Sequence, residues 1–132
     1  YFNTFGGSPV ASAAGLAVLD AIAEDRLQDN ARETGTYLLE QLRSLSASHP
    51  HVGDVRGAGL YLAVEFVAGK ATRAPNKVAA VNGVNGMRDL NILIGTAGLH
   101  GNIWKIRPPL CFDRNHADMF LEGFDKVLKA TS

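Results

Sequence analysis

The stretch VGDVRGAGLYLAVEFV, residues 52–67, decides the fold, because it predicts two β-strands joined by a tight turn. Residues 52–56 predict the first strand, residues 60–67 predict the second, and the Gly-Ala-Gly of residues 57–59 favours a turn. Along the second strand, large apolar side chains recur at every other position, as in an antiparallel strand that is buried on one face. The residues predicted to face inward are Leu60, Leu62, Val64 and Phe66.

Four helices and two further strands are predicted outward from this hairpin. Their order, helix, helix, strand, strand, helix, strand, strand, helix, predicts an α+β fold with helices packed on a small antiparallel or mixed sheet. Asn91 is predicted to end the third helix in a left-handed conformation. The helices are predicted at residues 8–23, 25–46, 76–90 and 115–130, and the strands at 92–94 and 103–107.

The first predicted helix is apolar on all sides and has no charged residue before Asp20. A helix of this kind is normally buried all round. A small domain cannot easily cover both of its faces, so one face is expected to pack against protein that precedes these residues. The alternative is a helix packed in the core of this domain.

Composition restricts the possible functions. The 132 residues are 46% hydrophobic and 20% charged, as in one globular domain, and thirteen basic residues balance thirteen acidic ones. The balanced charge argues against a nucleic-acid partner. No apolar stretch is long enough for a membrane helix, and the four histidines and Cys111 lack zinc-ligand spacing. We expect a cytoplasmic protein that binds neither metal nor membrane, although an upstream targeting signal would lie outside these residues.

The N-terminal segment combines features that suit an anion. Gly6 and Gly7 permit a sharp turn, and Ser8-Pro9 predicts the N-cap and first residue of a helix. Free amides and the positive end of the helix dipole attract negative charge. An ordinary capped helix explains the same residues.

Arg107 stands at the end of an apolar strand and is held by the two prolines that follow it. A guanidinium on such a support can grip a carboxylate with two parallel hydrogen bonds. A salt bridge with an aspartate is the alternative. Cys111 is expected to be a small core residue rather than a nucleophile, and Glu65 an exposed-face or edge charge rather than a proton carrier.

Four ordered motifs give the chain a family resemblance. They are Asn3-Thr4-Phe5-Gly6-Gly7-Ser8-Pro9, Val52-Gly53-Asp54-Val55-Arg56-Gly57-Ala58-Gly59-Leu60, Ile92-Leu93-Ile94-Gly95 and Lys105-Ile106-Arg107-Pro108-Pro109-Leu110. Together they resemble the C-terminal part of class III pyridoxal-phosphate-dependent aminotransferases. The residues of these motifs are most similar to those of the branch that contains alanine–glyoxylate aminotransferase-like enzymes and phospho-lyases. The resemblance implies the C-terminal domain fold of the aspartate-aminotransferase superfamily.

The resemblance also implies roles for individual residues. Thr4 matches the threonine that binds the pyridoxal 5'-phosphate phosphate group in the active site of the neighbouring subunit, which implies a homodimer. Ser8 replaces the usual asparagine of that motif. Arg107 matches the family arginine before Pro-Pro, which often binds the substrate α-carboxylate. Asn91 stands where glycine is common, and Trp104 stands where a smaller aliphatic residue is common.

The resemblance assigns residues 1–132 to the small domain, with residues 1–23 forming a cofactor-proximal loop and an interdomain helix. The large domain is absent, and with it the lysine that holds the cofactor as a Schiff base, so no catalytic residue is expected in this chain. We expect the chain to be part of a transaminase that acts on an amino acid and an oxo-acid, and to be inactive by itself. The alternatives are a phospho-lyase for an amino-alcohol phosphate and a noncatalytic dimerisation module.

Overall fold

The computed structural model describes residues 2–4 and 6–130. Its elements follow the predicted order and confirm the α+β class. They are α1 Pro9–Glu24, α2 Leu27–Ser46, β1 Val52–Ala58, β2 Tyr61–Phe66, α3 Lys77–Asp89, β3 Gly95–Ala97, β4 Ile103–Ile106 and α4 Arg114–Ala130. None of these helices is long and apolar enough to cross a membrane.

The sheet has the strand order β1-β2-β4-β3, and every neighbouring pair is antiparallel. Ala58 pairs with Tyr61, so the hairpin turn is one step later than predicted and lies at Gly59-Leu60. Gly59 takes the left-handed φ of 53°, which glycine adopts without a side-chain clash. The inward positions of β2 are buried as predicted. Helices α2 and α3 pack on the sheet, and α4 packs against both of them and contacts Trp104 of β4 through Phe124. The opposite face of the sheet stays open.

Trp104 is the centre of the core. It lies in β4 with its side chain fully buried, between the rings of Phe66 and Phe124. Its indole N–H donates to the Ala80 carbonyl of α3 at 2.8 Å, so the polar atom is satisfied. A Cβ at Gly83 would lie 2.2 Å from the indole ring. The small residue on α3 therefore gives β4 room for the large side chain of Trp104.

The strand predicted at residues 92–94 is wrong, because the third strand is Gly95–Ala97 instead. Asn91 has a φ of 63° and ends α3 as predicted. The Ile92 amide then donates back to the Met87 carbonyl at 2.9 Å. These residues are therefore tied to the helix end, and the chain reaches β4 only at Gly95, which pairs with Lys105. The apolar, β-branched side chains of residues 92–94 favoured a strand. The hydrogen bonds that cap the end of α3 instead hold these residues, so β3 begins only after them.

Cys111 is exposed, so its predicted place in the core is also wrong. The amide of Phe112 donates to the Pro109 carbonyl at 3.0 Å and closes a turn. That turn directs Phe112, rather than Cys111, against the core.

Helix α1 has no buried residue. Val10, Leu16 and Leu19 are 80%, 62% and 62% exposed, and α1 contacts α2. The alternative that α1 packs in the core of this domain is therefore wrong. Both of its apolar faces lie open.

Candidate functional site

The N-terminal loop presents Thr4 and the start of α1. Thr4 is exposed, and Gly7 makes the turn with a φ of 78°. Ser8 is the N-cap as predicted, but its hydroxyl makes no capping hydrogen bond. The first helical bond runs from the Ser12 amide to the Ser8 carbonyl at 2.9 Å. The amides between them have no partner within the helix, and Pro9 has no N–H.

This donor set fits an anion such as a phosphate group. Residues 2–12 contain no acidic side chain, so hydroxyl and amide donors face no competing carboxylate within the segment. Phe5 of the predicted motif, like Tyr1, lies outside the described residues.

Arg107 follows β4 directly and its side chain is exposed. It makes no hydrogen bond or ion pair with any residue among 2–4 and 6–130, so the salt-bridge alternative is not seen there. Arg107 lines a cavity of about 340 Å³. Ile94, Pro108 and Phe112 give this cavity an apolar wall, and its other residues include Lys105. A guanidinium at the rim of an apolar cavity can bind the charged end of a small substrate.

Lys105 is a second cation that the sequence reasoning did not assign to the site. It lies two residues before Arg107, so the period of β4 places both on the open face of the sheet. Its side chain has no hydrogen-bond or ion-pair partner in the part of the chain that the structure describes. The spacing Lys-x-Arg at the end of a strand is the signal that could have identified it.

The structure does not bring Thr4 and Arg107 into one cavity. The described residues that line the Arg107 cavity come from segments 92–95 and 105–108 and from Phe112 and Phe120. None belongs to the N-terminal loop. Within one chain, the predicted phosphate-binding residue and the predicted carboxylate-binding residue are therefore separate.

Glu65 is held as a structural charge on the open sheet face. Arg56 donates to Glu65 at 2.8 Å and to Asp54 at 2.6 Å. The hydrogen bond to Asp54, followed by that to Glu65, raises the pKa of Arg56 above its usual value. Because β2 lies between β1 and β4, Glu65 is a charge on the exposed sheet face, which was one of the two predicted alternatives, and not a charge at the sheet edge.

Comparisons with known proteins give the context of this geometry. The model of the class III aminotransferase family matches residues 2–128. An Arabidopsis thaliana protein named alanine–glyoxylate aminotransferase 2 homolog 2, mitochondrial, is 45% identical over 125 residues, which cover 95% of this chain and 26% of that protein.

Two solved structures are similar over nearly the whole chain. A phospholyase from Arthrobacter in complex with phosphoethanolamine aligns with a TM-score of 0.93 and 37% identity, over 98% of this chain and 31% of its own. An amine transaminase from an uncultivated Pseudomonas species, in its pyridoxal-phosphate-bound form, aligns with a TM-score of 0.88 and 32% identity, over 100% of this chain and 30% of its own. The chain thus spans about a quarter of the length of the curated relatives that it matches.

Proposed function

The chain belongs to the class III aminotransferases, as its four motifs predict, and we propose that it is the C-terminal small domain of a transaminase. Pyridoxal phosphate is the cofactor of these enzymes, and a structural neighbour contains it. The proposed reaction transfers an amino group between an amino acid and an oxo-acid. In this proposal residues 1–132 form the small domain, and residues 1–23 form the loop and helix that face the large domain.

The position of Arg107 carries the proposal. Its guanidinium is exposed and unpaired among the described residues, at the rim of a cavity with an apolar wall. A planar fork of N–H donors matches the two oxygens of a carboxylate. Arg107 would bind the substrate carboxylate, while the apolar wall accepts the substrate side chain.

Thr4 would donate its hydroxyl hydrogen bond to the phosphate of the cofactor in the partner subunit. The loop around it offers hydroxyls and amides without a carboxylate, which suits a dianion. When bound, pyridoxal phosphate withdraws electrons from the substrate and so allows its α-proton to be removed. The lysine that would move this proton lies outside the chain, and this chain supplies binding and orientation.

A phospho-lyase is the second candidate. The similar Arthrobacter structure is a phospholyase in complex with phosphoethanolamine. Phosphoethanolamine carries no carboxylate, so this reading gives Arg107 or Lys105 a phosphate group to bind instead.

Two assays on the full-length protein separate these candidates. Amino transfer from L-alanine to glyoxylate without phosphate release supports the transaminase. Phosphate release from phosphoethanolamine without amino transfer supports the phospho-lyase. A cofactor-binding test on the same protein separates both enzymes from the noncatalytic dimerisation module, which would bind no pyridoxal phosphate. The 132-residue chain is expected to be inactive in both assays.

The compartment is part of the same proposal. We expect the full-length protein in the cytoplasm, whereas the similar Arabidopsis protein is named mitochondrial. Fractionation of cells that express the full-length protein decides between the two compartments.

A further inference from the structure

A second cavity, of about 320 Å³, lies at the outer edge of β1. The C-terminal end of α2 forms one side of it and the segment between β2 and α3 forms another. β1 is the edge strand farthest from β3, so this cavity and the Arg107 cavity lie toward opposite edges of the sheet. The residues that line it are Arg43, Ser46, Ala47, Val52, Gly53, Asp54, Val55, Lys70 and Arg73.

Ser46 lines this cavity, and its buried hydroxyl is an unsatisfied polar group. Ser46 is 5% exposed, and its Oγ makes no hydrogen bond to any residue in the described part of the chain. Buried hydroxyls almost always have a partner, because leaving one unpaired costs free energy. A bound ligand with an acceptor atom would supply that partner.

Charges around the cavity favour an anion. Two negatively charged or polarised groups would repel an anion there: the carboxylate of Asp54 and the carbonyl groups at the end of α2. Arg56 donates to Asp54 at 2.6 Å, and Lys70 donates to the Ala47 carbonyl at 2.6 Å, so each group already faces a cation.

Two arginines remain without an acidic partner. Arg43 uses Nε to donate to the Val55 carbonyl at 3.0 Å, which leaves its Nη groups without a partner among the described residues. The Arg73 side chain likewise makes no hydrogen bond or ion pair there. Its backbone is fixed, because the Arg73 amide donates to Gly69 at 2.9 Å and the Ala68 amide donates to Ala74 at 2.8 Å.

We propose that this cavity binds a small phosphate-class anion, either free phosphate or a phosphate monoester. The guanidinium groups of Arg43 and Arg73 and the Ser46 hydroxyl would donate to its oxygens. Three separate donor groups suit a phosphate better than a carboxylate, which has only two oxygens. The site is independent of the proposed function.

The test is a titration of the isotope-labelled 132-residue chain with inorganic phosphate, with phosphoethanolamine as a monoester, and with acetate, at constant ionic strength. Amide chemical shifts are followed by nuclear magnetic resonance. We expect saturable shifts confined to the residues that line the cavity. If only inorganic phosphate or only phosphoethanolamine saturates the shifts, the result shows whether the site binds free phosphate or a phosphate monoester.

Variants make the result specific. Arg73→Gln should raise the dissociation constant at least tenfold, and Ser46→Ala should raise it several-fold, each with an otherwise unchanged spectrum. Arg88→Gln, which alters an exposed arginine that pairs with Asp89 and does not line the cavity, should leave binding unchanged. Shifts that stay linear and spread over all basic residues, an equal loss in Arg88→Gln, or equal binding of acetate would overturn the proposal.

Discussion

Arg107 and Lys105 share one sheet face, and the role of each can be separated by substitution. In the full-length enzyme, Arg107→Lys keeps a positive charge but loses the planar fork. We expect kcat/KM for carboxylate-bearing donors to fall roughly tenfold to over a hundredfold, because hydrogen bonds to charged groups are worth about 1.5–3 kcal/mol. Steady-state kinetics with and without a carboxylate on the amine donor measures this loss.

Lys105→Met is the matched comparison for that experiment. If Arg107 binds the carboxylate, the loss in Lys105→Met is smaller and less selective for carboxylate-bearing substrates. A large selective loss in Lys105→Met with an unchanged Arg107→Lys enzyme would transfer the role to Lys105. Unchanged unfolding free energies in both variants exclude a defect of folding.

Two helical glycines are expected to respond in opposite directions to alanine. A Cβ at Gly83 would lie 2.2 Å from the Trp104 ring, whereas one at Gly15 would meet nothing within 4 Å. Gly83→Ala should lower the free energy of unfolding by about 1–3 kcal/mol through overpacking. Gly15→Ala should raise it by about 0.5–1 kcal/mol, because glycine is a poor helix former. Urea unfolding of the 132-residue chain measures both, and a gain in Gly83→Ala would contradict the packing described for Trp104.

At the scale of the elements, short-range sequence patterns predicted those features of the helices and strands that depend on neighbouring residues. The alternation along β2 follows from short-range periodicity, and the burial of its apolar positions agrees. Residues 92–94 have the composition of a strand, but the C-cap of α3 binds them, and only pairing with β4 shows where β3 begins. The accommodation of Trp104 by Gly83 is equally nonlocal, because it joins a strand to a helix far away in the chain. Lys105 was missed for another reason, since its position beside Arg107 depends on a sheet face that only the assembled strands create.

The end of α4 is joined to the α2–β1 connection by one buried histidine. His49 Nε2 lies 3.1 Å from the Leu128 carbonyl, and its Nδ1 accepts from the His51 amide at 3.3 Å. Both contacts are satisfied by the neutral ring with its proton on Nε2. Burial is the main cause that lowers the pKa of His49 below its usual 6.5, and the charges of His51 and Lys70 add to it.

This arrangement predicts an acid-sensitive fold. Since the folded-state pKa of His49 is lowered, the unfolded chain binds more protons, and stability should fall as pH decreases below about 6.5. Urea unfolding between about pH 7.5 and 5 measures the slope. His49→Gln should flatten it, whereas His100→Gln, at an exposed loop position, should not. An unchanged slope in His49→Gln would remove His49 as the cause.

At the scale of the whole molecule, the exposed N-terminal loop and the open helix α1 behind it are suited to contacts outside these residues. Thr4 and α1 are exposed, and the Arg107 cavity contains no residue of the N-terminal loop among those described. A loop that serves the active site of a second subunit needs both features. We therefore expect Thr4 to act in the homodimer, on the cofactor phosphate of the opposite subunit. Thr4→Val removes the hydrogen-bond donor and nearly preserves the shape of the side chain. It should therefore weaken cofactor binding by about 1–3 kcal/mol, measured as the dissociation constant of pyridoxal phosphate from the full-length protein.

Mixed dimers of the full-length protein test which subunit uses Thr4. One subunit carries Thr4→Val and keeps the Schiff-base lysine, and the other keeps Thr4 and lacks that lysine. If Thr4 acts across the interface, the single lysine-bearing site receives an intact threonine from its partner. Its cofactor affinity and its activity at limiting cofactor then equal those of a mixed dimer with the lysine lesion alone. If Thr4 acts within its own subunit, the same site carries the valine, and the Thr4→Val defect appears in full, which would reject the cross-subunit role.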